Sequence, residues 1–202
     1  MPVIAVVVAL VAGLVYAAQA GDDGPASQAS PTTTLAPDAV EVTSDAPAYA
    51  SLQELVDASD LIVRGRITGA ERGRWFGNPG AGRIQSRLLT LDVEDVLAGK
   101  PKGELSSLLV EEEGWTSDGE PLVIDGAVPS QEGDEGIWFL VDAGDETTGS
   151  WIVVNSQGRY LVDPDGTTGL VGAKGDDPLV AQLSALSLPE LEAKISRTRP
   201  RP

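Results

Sequence analysis

Between Asp60 and Gly99 apolar side chains recur at alternate positions on both sides of a Gly- and Arg-rich interruption, and a repeat of two marks a half-buried β-strand. In the first run Leu61, Val63, Gly65 and Ile67 fall on one face, with Ile62, Arg64, Arg66 and Thr68 on the other. In the second, Leu89, Leu91 and Val93 share the inner face and Leu88, Thr90 and Asp92 the outer one. Val96 and Leu97 break the alternation, which predicts a bulge or strong coiling before Gly99-Lys100-Pro101 ends the run. The expectation is two long strands joined by an ornate loop from Glu71 to Arg83.

Further strand patterns follow. Glu104 to Glu112 reads as a third strand, and Pro121 to Ile124 as a short one inside the acidic, Gly-rich region from Glu113 to Gly136. Gly136 to Val141 and Trp151 to Val154 are the most apolar runs and read as central strands joined by a hairpin loop, Asp142 to Ser150. Gly158 to Val162 continues the meander, and Asp163 to Gly166 turns the chain before Leu170-Val171. Ser51-Leu52-Gln53-Glu54 is a capping-box pattern opening a helix through about Ala58. Asp177-Pro178 opens a second helix to about Ser187, and Ser187-Leu188-Pro189-Glu190 caps a third through about Ile195. Five or six short strands with helices at the ends predict an all-β fold, a small antiparallel barrel spanning residues 49–196.

The segment ahead of the barrel is of a different kind. Val3 to Ala18 carries no charge and as a helix spans about 24 Å, short of the roughly 30 Å hydrocarbon core, so it suits a signal-peptide core. Ala18-Gln19-Ala20 before Gly21 has the form of a signal-peptidase site; an uncleaved membrane anchor over residues 1–20 is the alternative. Residues 21–48 are Ala, Ser, Thr, Pro, Asp and Gly with few large apolar side chains, and read as a disordered tether. Residues 197–202 form a basic tail. These features predict a secreted or cell-surface-tethered bacterial protein, touching the membrane only through its N-terminal segment.

Composition narrows the chemistry. With no Cys there is no disulfide, thiolate metal site or cysteine nucleophile, and with no His the usual general base is missing. A net charge of −17 argues against nucleic acid, which needs clustered cations. Yet Arg64, Arg66, Arg72, Arg74, Arg83 and Arg87 lie between Leu61 and Leu91 against one acid, Glu71.

Ala58-Ser59-Asp60-Leu61-Ile62-Val63-Arg64-Gly65-Arg66-Ile67, followed by Leu89-x-Leu91-x-Val93-x-x-Val96-Leu97-x-Gly99-Lys100, resembles the opening strands of the netrin-like and tissue-inhibitor-of-metalloproteinase-like OB folds. The final Gly-Lys order is reversed from that family's pair. Gly133 to Leu140 is similar to a later core strand of uncharacterised exported bacterial domains. The resemblance implies an OB-like barrel. The inhibitors' zinc-chelating N-terminal cysteine has no counterpart, so that activity does not carry over, and fold analogy alone does not fix function.

The candidate binding residues are Arg72, Arg74, Trp75 and Phe76 in the Glu71–Arg83 loop, joined by Trp115, because guanidinium groups beside large aromatics make effective contact surfaces. The competing reading has Trp75 and Phe76 plugging a barrel end while the arginines pair with acids. For Arg64 and Arg66, cross-strand pairing with Asp92 or Glu94 is favoured over an anion-binding stripe. Asp163-x-Asp165 begins like a calcium loop but has Thr167 and Lys174 at later ligand positions; Glu132, Asp134 and Glu135 are a weak calcium set. No metal, cofactor or catalytic residue is assigned, since nucleophile-elbow, phosphate-loop and dinucleotide motifs are absent. The reading is a non-catalytic binding module for an extracellular protein or envelope polymer. Its rivals are a carboxylate-dependent hydrolase of envelope glycan, which needs a cleft lined by two inward acids, and a structural spacer.

Overall fold

The computed structural model describes residues 39–78, 82–101, 105–162, 168–170, 177–183 and 186–199. The segment expected to direct export, the tether as far as residue 38, Asp163-x-Asp165 and the end of the tail lie outside the described residues. The chain runs β1 (Val40–Val42), α1 (Leu52–Ala58), β2 (Leu61–Phe76), β3 (Ile84–Gly99), β4 (Ser107–Thr116), β5 (Leu122–Ile124), β6 (Glu135–Asp142), β7 (Trp151–Val153), β8 (Arg159–Val162), β9 (Thr168–Leu170), α2 (Pro178–Leu183) and α3 (Leu188–Thr198).

Five strands close into a ring. β2 pairs with β3 and with β6, β3 with β4, β4 with β7, and β7 with β6. In barrel order this is first, second, third, fifth, fourth and back to the first, so the fold is a small, OB-like all-β barrel with short helices. The expected antiparallel arrangement needs one correction: β4 and β7 pair parallel, Val110 facing Trp151 and Glu111 facing Ile152. An odd ring cannot alternate direction throughout, so one parallel pair is obligatory. Gly65 stands opposite Gly136 where β2 meets β6, and a Cβ on either would strike a neighbouring strand's backbone, Asp92 or Tyr160.

Leu61, Ile62 and Val63 are buried on both faces of β2, which explains its apolar start. Leu61, Val63 and Ile67 join Leu89, Leu91, Val110, Trp138, Leu140 and Trp151 inside the barrel. Ile62 instead packs outside with Leu97, Ala98, Ile137, Phe139 and Tyr160 beneath α1, α2 and α3. The break at Val96-Leu97 is a register shift: Ile62 faces Ala98 but Val63 faces Val96, so Val96 packs on the barrel core and Leu97 under the helices. The Tyr160 hydroxyl donates to the Leu183 carbonyl (2.8 Å) and lies 3.1 Å from that of Leu186, giving the last carbonyl of α2 a donor that the helix itself does not supply.

Other boundaries move. Residues 40–42, expected to be tether, pair parallel with β5. The third strand begins and ends later than its apolar run suggests, at Ser107 and Thr116. The expected Glu71–Arg83 loop shrinks to residues 77–83, because β2 runs sixteen residues to Phe76 and β3 sixteen from Ile84.

Candidate functional site

The longer strands carry a three-stranded ribbon beyond the barrel. β6 leaves β2 after the Arg66–Glu135 pair, whereas β3 follows β2 as far as Phe76 and β4 follows β3 as far as Thr116. One bulge decides which side chains meet. Gly73 and Arg74 together oppose Ser86, between the pairs Arg72–Arg87 and Trp75–Gln85. A Cβ on Gly73 would collide with the Ser86 hydroxyl, so a larger residue in the bulge would require Ser86 to move. It also reverses parity, bringing Arg72 and Trp75 to one face although they are three residues apart.

On that face directly opposed residues form two cross-strand rows. One is Trp75, Gln85, Trp115; the next is Arg72, Arg87, Glu112. The guanidiniums of Arg72 and Arg87 lie 4.5 and 5.2 Å from the Trp115 ring centre, and that of Arg83 lies 5.0 Å from the Trp75 ring, distances at which cation–π attraction operates. Arg72 Nη1 donates to neutral Gln85 Oε1 (2.8 Å), and Gln85 Nε2 to the Gly73 carbonyl (3.2 Å). Among the described residues no carboxylate pairs with Arg72 or Arg83, and the buried Nε atoms of Arg83 and Arg87 have no hydrogen-bond partner. Trp75 is 42% exposed, so it does not plug the barrel.

Beneath the rows lies a charged network at the barrel mouth. Glu112 accepts from the Ser130 N–H (2.8 Å) and hydroxyl (2.9 Å), with Arg159 Nη1 3.7 Å and Arg87 Nε 3.8 Å away. Buried Arg159 also donates to the Ser130 hydroxyl (2.6 Å) and the Val128 carbonyl. Glu112 is thus shared among several donors and leaves Arg87 only partly neutralised. Nearby, partial burial raises the Asp134 pKa above its ordinary value, opposed by the hydrogen bond from the Gln131 N–H.

The opposite face holds the other two expected site residues. Arg74 grips Glu111 through Nε (3.0 Å) and Nη2 (2.8 Å), reaches Asp145 through Nη1 (3.1 Å) and lies 4.7 Å from the Phe76 ring. Ser86 Oγ donates to the same Glu111 carboxylate (2.7 Å). The hydrogen bonds to Glu111 hold the Arg74 pKa above its ordinary value; N–H donation from Thr147 holds Asp145 below its own. Arg74 and Phe76 line a cleft of about 580 Å³ together with Ile84, Leu122, Ile124, Ile152 and the three acids Glu111 to Glu113. Three acids therefore line a cleft: both Glu111 oxygens are engaged by Arg74, one of them also by Ser86, and Glu112 by Ser130, while the Glu113 side chain is exposed.

The five expected residues are thus divided: Arg72, Trp75 and Trp115 come together, while Arg74 and Phe76 do not join them. Arg83 and Arg87 belong with the first group. Arg87 was detectable in principle, because it continues the inward series of Leu89 and Leu91 as a charge where an apolar residue belongs. Arg64 pairs with Glu94 (3.0 Å), Glu192 (3.2 Å) and Glu135 (3.6 Å), and Arg66 with Glu135 rather than Asp92, so this stripe is tied up in ion pairs. Glu135 serves these arginines and Asp134 its own turn; among the described residues no three acids gather as a metal site.

Compared with protein-family models and with curated proteins, the chain finds no match. No helix among the described residues is long and apolar enough to cross a membrane.

Proposed function

We propose that this chain is a non-catalytic binding module, exported or tethered at the cell envelope, that takes its partner on the Arg/Trp face of the ribbon. The observation carrying this reading is the facing pair Arg72 and Arg87, like charges set directly across a strand pair and backed by one indole. Like charges so placed destabilise a sheet, and a fold gains from them only when an anion arrives. In a chain of net charge −17, no acid among the described residues pairs with Arg72. Kinship with the netrin-like domains is part of the reading; its support is the strand order and the paired runs after Asp60. The hydrolase reading is weaker because two of the three acids at the cleft, Glu111 and Glu112, are held by arginine and serine, which leaves Glu113 without a second free acid beside it.

The test is crosslinking with mass spectrometry on intact cells producing this chain or the double variant Arg72→Ala, Trp75→Ala. The variant should keep its melting temperature and lose the crosslinked species. A variant that unfolds, or one that keeps every crosslink, overturns the reading.

A further inference from the structure

Where β6 departs, β2 acquires a bare edge. At the point of departure the Ile67 N–H donates to the Asp134 carbonyl (2.9 Å) and the Gly133 N–H to the Ile67 carbonyl (2.8 Å). Past Ile67 no backbone group of β2 bonds on that side to any described residue, although the other side stays on β3 to Phe76. Ala70, Glu71, Arg72, Arg74 and Trp75 are exposed along it. The stretch from Gly69 to Arg72 is regular, each residue facing one partner from Thr90 back to Arg87, with a register shift before and after.

Bulges and charges are devices that blunt an exposed edge against stray pairing. Two features exceed that purpose. Arg72 is held against an indole, confronts Arg87 and has no carboxylate partner among the described residues, and Trp75 is a large exposed aromatic next to the edge. An anion supplied from outside would relieve the first, and apolar contact would cover the second.

We propose that this edge accepts a further strand from an acidic polypeptide, pairing with Gly69 to Arg72 and laying a carboxylate against Arg72 and Arg87. The proposal rests on the binding reading above and names its partner class. A charged glycan satisfies the guanidiniums but not the bare row of peptide groups; an extended acidic peptide satisfies both.

The probe is a synthetic peptide of about eight residues alternating Glu and Val, the length of an ordinary strand, titrated into the full chain and followed by backbone amide NMR. Saturable shifts centred on residues 68–76 are expected. Affinity should fall at least about tenfold when Glu is replaced by Gln, when alternate peptide nitrogens are methylated, and when the protein carries Arg72→Gln, whose side chain is exposed. Equal binding of the Glu, Gln and methylated peptides, or shifts elsewhere, overturns the proposal. If polyglucuronate binds in an Arg72-dependent manner while no peptide does, strand addition is wrong and the binding module stands. If neither binds and the double variant also keeps its crosslinks on cells, both are wrong.

Discussion

Arg72 and Arg87 face each other across β2 and β3, and both guanidiniums rest against the ring of Trp115. With Arg72 exposed and Arg87 half-buried, cross-strand repulsion and cation–π attraction are each worth about 1 kcal/mol, so the two nearly offset one another. Replacing Arg72 by Gln should leave the thermal midpoint unchanged or slightly higher while binding on this face is lost. A clear fall in the midpoint by scanning calorimetry would show that Arg72 is a structural residue.

Arg74 should behave in the opposite way. Removing it as Arg74→Ala strips both charged hydrogen bonds from Glu111, a nearly buried carboxylate left only with Ser86. The expected loss is about 1–3 kcal/mol by urea denaturation, and Arg74→Ala with Glu111→Gln should recover part of it.

Gly73→Ala tests the bulge. Its methyl group would meet the Ser86 hydroxyl, so either Ser86 moves and releases Glu111 or the parity of the ribbon changes. Destabilisation of about 1–3 kcal/mol is expected, with altered fluorescence from Trp75 as the two faces are rearranged.

Asp134 predicts a pH dependence. Burial raises its folded pKa above the unfolded value, so its stabilising contribution is complete below the unfolded pKa and is lost as pH rises through the folded one. At neutral pH the half-buried charge is a cost. Asp134→Asn keeps an acceptor for the Gln131 N–H and should raise the urea midpoint at about pH 7, an advantage that shrinks towards about pH 4. An advantage independent of pH would show that the cause is not this ionisation.

Much of the barrel was legible in the sequence because its signals are local. The alternation from Leu61 to Ile67 and from Leu89 to Val93 marked the inner faces, and Ser51 caps α1 where expected, its hydroxyl accepting from the Glu54 N–H at 3.3 Å, although the Glu54 carboxylate accepts from the Ala50 N–H and not from that of Ser51. The ribbon was not legible. Gly73 and the arginines around it have little intrinsic strand preference, and β2 continues through them because β3 supplies a ladder partner to Phe76. Nor does composition reveal the bulge opposite Ser86, which separates Arg74 and Phe76 from Arg72 and Trp75; parity across a bulge depends on register with another strand. The parallel β4–β7 pair follows from ring closure, which no single strand encodes.

The most direct test places a photo-crosslinking residue at position 75 in otherwise native protein on intact cells, with position 152 on the cleft side as the comparison. The account expects a discrete adduct from position 75 that disappears with Arg72→Gln, and none from position 152. Adducts from position 152 alone, or an adduct from position 75 indifferent to Arg72, would contradict it.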